Sequence, residues 1–191
     1  MFISQKKRKK RMSESLVSRI RNHDQQAMRQ LYEMHVGRLA SVCYRYVPDE
    51  NDAKDVMQNS FVKIFTALPT FEYRDELSFR AWMTRIVMNE ALSFLKQQRR
   101  LPMETLPDEN TLMATDEEPD VERITADQLH QLVSDLPDGY RTVINLFVFE
   151  GCSHKQIAEL LGIKEVTSAS QLFHAKQLLA KRIKELTKQK P

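Results

Sequence analysis

EGCSHKQIAELLGIKEVTSASQLFHAKQLLAKRI, from Glu150 to Ile183, is the stretch from which the rest of the chain can be interpreted. Ser153 can cap a helix, and Gln156 three residues later completes a capping-box pattern. Gly162 follows the last apolar residue of that helix, where a left-handed turn favours a residue without a Cβ. A second helix is predicted to open at residues 164–167 and to keep four apolar side chains on one side: Leu172, Ala175, Leu179 and Ile183.

Two helices joined by a glycine turn, with the second helix longer and polar on its outer face, form the helix-turn-helix layout. An ordinary helical hairpin in a helical core would show the same spacing. Basic residues on or beside the pair favour the DNA-binding interpretation: Lys155, Lys164, Lys176, Lys181, Arg182 and Lys184.

Composition limits the class of protein. The 191 residues include only four glycines and seven prolines, and long segments have helical periodicity, which predicts an all-α fold. The two cysteines, Cys43 and Cys152, offer neither a zinc spacing nor a disulfide framework. No apolar run has transmembrane length. KKRKKR at residues 6–11 leads into an amphipathic segment rather than a signal-peptide core, so export is not expected. We expect this run to be a solvated tail rather than a specific DNA contact. We therefore expect a cytoplasmic protein that needs no metal or cofactor.

Charge is segregated along the chain. Residues 102–127 carry nine carboxylates and one arginine, whereas residues 140–191 carry nine basic and four acidic side chains. Two mildly basic blocks separated by an acidic one suggest two tethered modules that face polyanions. We expect an acidic linker without fixed structure, because its sequence, LPMETLPDENTLMATDEEPDVE, is rich in proline and acids. The predicted segments are a basic tail at 1–12, a first domain at 13–100, the linker at 101–122 and a second domain at 123–187.

Three helices are predicted in the first block before a long fourth one. A short helix covers Ser13–Arg21, Asp24 caps the second helix, and Asn51 or Asp52 begins the third, which Pro69 ends. The second and third helices have regular apolar faces. These faces consist of Ala27, Leu31, His35, Leu39, Val42, Cys43 and Tyr46, and of Ala53, Val56, Met57, Ser60, Phe61, Ile64, Phe65 and Leu68.

A loop at Thr70–Leu77 leads into the fourth helix, from Phe79 to Arg100, which Ser78 is expected to cap. Aromatic, amide and cationic side chains are interleaved on this loop and helix. Bases can stack on rings, amides can read base edges and cations can hold phosphates, so the pattern favours a surface for single-stranded DNA. Phe79 is expected to be core. The candidates for the surface are Phe71, Tyr73, Arg74, Arg80, Trp82, Arg85, Asn89 and Lys96.

The second block is predicted to be a four-helix domain that the helix-turn-helix completes. Its first helix ends at residues 137–139 and has the apolar set Ile124, Leu129, Leu132, Val133 and Leu136. The apolar set of its second helix is Tyr140, Val143, Ile144, Phe147 and Val148. Because each block has its own apolar set, two domains are expected.

From Ser13 to Leu186 the chain resembles the bacterial extracytoplasmic-function sigma factors, the two-domain branch of the sigma-70 family. In the family's second conserved region the resemblance rests on LYEMHVGRLASVCYRYVPDENDAKDVMQNSFVKIF and SFRAWMTRIVMNEALSFLKQQRR. In the fourth region it rests on LPDGYRTVINLFVFEGCSHKQIAELLGI. The resemblance implies a region 2 helical bundle and a region 4 helix-turn-helix domain.

The resemblance also implies a function: a promoter-specificity subunit of bacterial RNA polymerase, which is not an enzyme. The loop at Thr70–Leu77 and the fourth helix would bind the melted minus-ten strand, with Asn89 matching the family's asparagine at the melting site. The acidic linker would thread the polymerase channels. An anti-sigma factor, often membrane-bound, is a further candidate partner. The third helix would dock on the clamp helices of the largest polymerase subunit through Asp52, Asp55, Gln58 and Asn59.

For the last domain, the resemblance implies binding of the minus-thirty-five element as duplex. Two positions depart from the family, which usually has glycine near Val166 and lysine or arginine at Ala169. Because alanine cannot reach a phosphate, the chain is expected either to read a divergent upstream element or to bind it weakly. The implied contact residues are Lys155, Lys164, Glu165, Thr167, Ser170, Gln171, Phe173 and His174.

Two other classes of function compete with this interpretation. A free-standing repressor or activator would bind palindromic duplex DNA without polymerase. The aromatic and amide cluster around Tyr73, Trp82 and Asn89 argues against it, because a dimerisation domain has no use for those groups. A nuclease would need carboxylates held in fixed geometry, whereas the carboxylates here concentrate in the predicted linker.

Overall fold

The structure is a computed structural model that describes residues 15–98 and 124–188. These residues form helices and short connections, in two compact units that divide near Leu95. The predicted all-α fold is thereby confirmed. The predicted basic tail at 1–12 and the acidic linker at 101–122 lie outside the described residues.

The first unit contains helices α1 (residues 15–21), α2 (Gln25–Tyr46), α3 (Glu50–Ala67) and α4 (Glu76–Gln97). Leu16, Val17 and Ile20 of α1 are buried, as are all seven predicted residues of α2. On α3 the predicted set is buried except Phe65, which is half-buried. A single 3₁₀ turn at Leu68–Thr70 follows α3. The periodicity therefore predicted this core well.

The starts of α3 and α4 differ from the prediction by a few residues. Asp49 caps α3, because its side chain accepts hydrogen bonds from the backbone N–H groups of Asn51 and Asp52. The prediction that Asn51 or Asp52 begins this helix was therefore wrong. Similarly, the Asp75 carboxylate accepts from the backbone N–H of Ser78 at 2.7 Å. Asp75, rather than Ser78, therefore stabilises the first turn of α4, and the connecting loop is shorter than predicted.

The buried side of α4 is centred on Phe79, Met83 and Val87. Val87, Met88 and Ala91 are buried on the same side, whereas Trp82 and Ile86 are half-buried. The core side of the helix is therefore rotated slightly away from Trp82. This rotation leaves part of the indole ring accessible.

The second unit contains α5 (Ala126–Ser134), α6 (Asp138–Ile144), α7 (His154–Leu161) and α8 (Glu165–Lys188). Helix α8 packs on α5, α6 and α7 through the four apolar residues predicted for it. Residues 138 and 139, which were predicted to end the first helix of this block, instead form the start of α6.

Arg141 on α6 holds the connection between α5 and α6. Its side chain is almost completely buried, and Nη1 donates to the carbonyl oxygens of Ser134 at 3.1 Å and Leu136 at 2.6 Å. Its Nη2 also pairs with the Asp138 carboxylate. The guanidinium thereby satisfies carbonyl groups that the end of α5 leaves without helical partners.

A π-helical turn at Asn145–Phe149 follows α6. The backbone N–H of Glu150 donates to the carbonyl of Asn145, five residues earlier. Because this wider turn changes the helical register, Phe147 and Val148 lie at the surface, with 36% and 56% exposure. The prediction that they are inward-facing was therefore wrong.

Candidate nucleic-acid interface

Rings from the 71–75 loop and α4 form a cluster around the buried Phe79. Phe71 stacks on Trp82 with ring centroids 4.4 Å apart, and Phe79 lies 5.7 Å from the same indole. Tyr73 approaches Phe79 at 5.8 Å. The three predicted stacking residues are thus brought together, and Phe71, Tyr73 and Trp82 each stay partly accessible. Phe79 is core, as predicted.

Polar residues continue from this cluster along the outside of α4. Arg85, Asn89 and Lys96 are exposed, and steps of three and four residues place Trp82, Arg85 and Asn89 on one side of the helix. Arg80 is exposed and pairs with Glu76 one turn earlier. The described part of α4 therefore presents a ring, two cations and an amide along one strip.

Arg74 stands on the loop and is exposed, with its guanidinium 3.8 Å from the Glu72 carboxylate. A separation of 3.8 Å in water gives little binding energy. The guanidinium can therefore turn towards a phosphate at small cost.

Two arginines that were not predicted as site residues position this surface. Arg21 on α1 donates to the backbone carbonyl of Phe71 at 2.5 Å. Arg38 on α2 donates to the Thr84 hydroxyl at 2.8 Å and to the carbonyl of Arg80 at 3.3 Å. All three bonds link residues more than 40 positions apart, and no periodic pattern reveals such partnerships. Burial lowers the pKa of Arg38 from its ordinary value, but the group stays charged.

The predicted polymerase-contact residues lie on α3. Asp55, Gln58 and Asn59 are exposed, and Asp52 is half-buried. A groove of about 580 Å³ runs between α2 and α3, with Gln58 among its lining residues. Its other walls are largely apolar and include Tyr32, Val36, Phe61, Val62 and Phe65.

The helix-turn-helix has the predicted local chemistry. Ser153 and Gln156 form a reciprocal capping box at the start of α7. Gly162 adopts the left-handed conformation with φ 73°, and its N–H donates to the Ala158 carbonyl at 2.8 Å. The following Ile163 N–H donates to the same carbonyl at 3.1 Å. These bonds fix the angle at which α8 leaves α7.

A second link between the helices was not predicted. His154 Nδ1 and the buried Ser168 hydroxyl are 3.0 Å apart, which joins the first turn of α7 to the first turns of α8. The His154 ring also stacks on Phe147 at 4.9 Å, and Lys176 Nζ lies 5.9 Å from the centroid of the Phe147 ring. The side chain of Phe147 is therefore bracketed by one residue from each helix of the pair.

The predicted upstream-contact residues are not equally available. Lys155, Lys164, Glu165 and Phe173 are exposed, and Thr167, Ser170 and His174 are half-buried. Gln171 is only 3% exposed and belongs, with Ser168 and Leu172, to the buried side of α8. The structure thus places Gln171 away from solvent, in contrast to the other seven. Val166, which is 70% exposed, lies on the outer face and was not among the predicted contacts.

Two titratable groups inside the first unit have no role at this surface. Burial lowers the pKa of His35 on α2 and raises the pKa of the Cys43 thiol to about 12. Both side chains are almost completely buried. Across residues 15–98 and 124–188, no group of three or more His, Cys, Asp and Glu side chains is placed to hold a metal ion. Within the same ranges, no helix combines the length and apolar character needed to cross a membrane.

Comparisons with known proteins identify the two units. Residues 31–101 match the model of sigma-70 region 2, and residues 126–179 match a model of sigma-70 region 4. The ECF RNA polymerase sigma-E factor of Haemophilus influenzae is 31% identical, over 91% of this chain and 96% of its own length. The factor of the same name from Escherichia coli strain K12 is 30% identical, over 90% and 94%. Among solved structures, the sigma factor RpoE in complex with the anti-sigma factor NepR from Bartonella quintana has a TM-score of 0.45 at 19% identity, covering 85% of this chain and 98% of that chain.

Proposed function

This chain belongs to the extracytoplasmic-function sigma factors of the sigma-70 family, and from that membership we propose how its surfaces divide the work of initiation. It is an RNA polymerase sigma factor, a non-catalytic subunit that directs promoter recognition and transcription initiation. Residues 13–100 form the domain that binds core polymerase and the minus-ten element. Residues 123–187 form the domain that binds the upstream element, and residues 101–122 link the two.

The observation that carries the proposal for the first domain is the Phe71–Trp82 stack beside Asn89. A base extruded from duplex DNA needs a ring to stack on and a hydrogen-bonding partner for its edge. Trp82 supplies part of an accessible ring, and Asn89 supplies an exposed amide two turns along the same side of α4. Arg80, Arg85 and Lys96, with Arg74 on the loop, supply positive charge for the phosphates of the melted strand.

Polymerase binding is proposed for the exposed side of α3. Asp55, Gln58 and Asn59 present acceptors and donors there, together with Asp52 at the first turn. Gln58 lines the apolar groove between α2 and α3. Binding of polymerase there would bury the apolar surface of the groove, which favours association. A combination of an apolar centre and a polar rim is typical of protein–protein interfaces.

The second domain is proposed to bind duplex DNA through its helix-turn-helix. Lys155 in the first turn of α7 and Lys164 before α8 are exposed, where they can hold phosphates on either side of the major groove. The first turns of α8 would then face base edges through Glu165, Thr167, Ser170, Phe173 and His174. Gln171 takes part only if the helix-turn-helix rearranges, because its side chain is buried.

Regulation by an anti-sigma factor is proposed as well, and its support is the exposed apolar surface on each unit. The exposed members are Tyr32 and Val62 beside the α2–α3 groove, and Val148 and Phe149 on the π-helical turn. A partner that covers the groove excludes polymerase from α3. The protein is proposed to act in the bacterial cytoplasm, where core polymerase and promoter DNA are found.

Binding of labelled single-stranded minus-ten DNA to the reconstituted holoenzyme tests the proposal for the first domain. We expect Trp82→Ala and Asn89→Ala each to weaken binding by roughly fivefold or more, since stacking and base-edge contacts are worth about 1–3 kcal/mol. Gln30→Ala is the matched control, because it removes an exposed amide from the outside of α2. Unchanged binding by both α4 variants, with normal assembly on core polymerase, would refute the proposed strand-binding surface.

A further inference from the structure

The outer face of α8 carries an apolar stripe where a DNA-reading helix usually presents hydrogen-bonding side chains. Val166 is 70% exposed and Phe173 is 57% exposed, and Ala169 is exposed between them. Their spacing of three and four residues places all three on one side of the helix. Single exposed apolar residues are common on protein surfaces, but a continuous row on the recognition helix of a helix-turn-helix lies where it can contact the major groove.

The same part of α8 lacks the side chains that recognise a purine base through two hydrogen bonds at once. Residues 165–175 contain no arginine, lysine or asparagine, and their one glutamine, Gln171, is buried. Guanine is read most often by arginine or lysine, and adenine by asparagine or glutamine. Ser168 is unavailable too, because it is fully buried beside His154. The accessible hydroxyls of Thr167 and Ser170 each present a single oxygen and lack the two adjacent polar atoms of a paired contact, which only the Glu165 carboxylate offers.

An apolar row of this kind has one natural partner in the major groove. The C5-methyl group of thymine is the only apolar group that a base pair presents there. Alanine and phenylalanine are among the side chains that contact this methyl group, and the methyl groups of Val166 offer the same chemistry.

We propose that α8 recognises its upstream element through thymine methyl groups, with Val166, Ala169 and Phe173 as the specificity-determining side chains. The element is accordingly rich in A·T pairs at the positions that these residues face. This inference rests on the proposed binding of upstream duplex DNA by the second domain. The links from α7 to α8 through Gly162 and through the His154–Ser168 bond hold the stripe in a fixed orientation.

Removal of single methyl groups from the DNA tests this inference directly. A promoter library with a randomised upstream element is first selected with holoenzyme made from the full chain, and the preferred thymines are then replaced one at a time by deoxyuridine. This replacement removes only the C5-methyl group. We expect two or three adjacent replacements each to weaken binding about fourfold, the value for losing one buried methyl-sized group.

Protein variants assign the effect to the stripe. In Val166→Ala and in Phe173→Ala, the loss of binding caused by deoxyuridine should disappear at one thymine position, the one that the replaced side chain contacts. Far-UV circular dichroism should be unchanged because both side chains are exposed. Leu129→Ala is the control, since Leu129 is an exposed apolar residue on α5; it should leave every penalty unchanged. Ala169→Arg should shift the selected sequence towards guanine, because arginine can make the paired contacts that alanine cannot.

Three results would overturn the inference. Selection of an essential guanine, or sequence-specific binding that changes less than twofold with deoxyuridine throughout, would show that the methyl groups are not read, while leaving duplex binding by the second domain intact. Equal binding of all upstream sequences, unaffected by Lys155→Ala and Lys164→Ala, would refute the proposed upstream role and this inference with it.

Discussion

Replacing Arg141 by methionine should destabilise the second unit enough to unfold part of its population, while the first unit stays folded. The Arg141 guanidinium donates to two backbone carbonyls and pairs with Asp138, and its side chain is almost completely buried. Methionine retains most of the apolar stem but none of the donors. A hydrogen bond from a charged group contributes roughly 1.5–3 kcal/mol. Because water can reach the end of α5 once the connection loosens, we take the lower value for each carbonyl and expect a total loss of about 3 kcal/mol.

Urea unfolding can resolve this loss unit by unit. Trp82, the only tryptophan, lies in the first unit, so its fluorescence reports that unit alone, whereas far-UV circular dichroism reports the helices of both. With a slope of about 1 kcal/mol per M for a unit of this size, the second-unit transition should fall by about 3 M. A small helical unit rarely has more than about 3–5 kcal/mol of stability, so part of the helical signal should be missing before urea is added.

Two control variants separate the effect of the Arg141 guanidinium from the effect of removing any arginine. Arg182→Met removes a partly exposed arginine from α8 and should change the free energy of unfolding of the second unit by less than about 0.5 kcal/mol. Arg141→Lys retains the charge but not the forked donors. The free energy of unfolding of its second unit should lie between those of Arg141→Met and Arg182→Met. An unchanged circular dichroism transition in Arg141→Met would refute the role given to the guanidinium. A Trp82 transition that moves with it would refute the independence of the two units.

Three further outcomes are expected. Gly162→Ala should destabilise the second unit by about 1 kcal/mol because φ is 73° there, whereas Gly37→Ala within α2 should stabilise the first unit by up to about 1 kcal/mol. An added Cβ meets nothing within 4 Å at either site, so both effects come from the backbone. A Gly162→Ala variant as stable as wild type in urea would contradict this explanation. Burial raises the pKa of Cys43 from its ordinary 9.0 to about 12, so between these values the thiol stays protonated in the folded state and ionises in the unfolded one. Its contribution to the stability of the first unit should therefore be fully present below pH 9 and fall between pH 9 and 12. Cys43→Ala should lack this pH-dependent loss of stability. Arg21→Met should slow promoter opening a few-fold by releasing the Phe71 carbonyl, with polymerase binding and the urea unfolding midpoint unchanged. A loss of stability large enough to account for the slower opening would assign Arg21 a structural role only.

Local chemistry explains why much of the fold could be predicted from the sequence. The capping box at Ser153 and the left-handed turn at Gly162 depend on residues within a few positions of each other, and both formed as expected. Asp75 and Ser78 show the limit of this reasoning. Both residue types cap helices, and only the structure shows that the Asp75 carboxylate accepts the N–H of Ser78.

Register and long-range partners could not be predicted. The outward position of Phe147 depends on the π-helical turn, whose hydrogen bond to a carbonyl five residues back has no simple sequence signal. The family resemblance implied a DNA contact for Gln171, yet its side chain falls on the buried side of α8. Arg21 and Arg38 gain their importance from partners far away in the sequence.

Permanganate footprinting of promoter opening tests the central claim most directly, since it modifies thymines only where strands separate. Core polymerase, the full chain, and both together are incubated with the selected promoter, and Trp82→Ala with Asn89→Ala serves as the impaired variant. We expect reactive thymines in the minus-ten region only when core and chain are both present, and much weaker reactivity with the variant. Tight binding of the chain to duplex DNA without core, and no reactive thymines when core is added, would instead indicate a free-standing regulator.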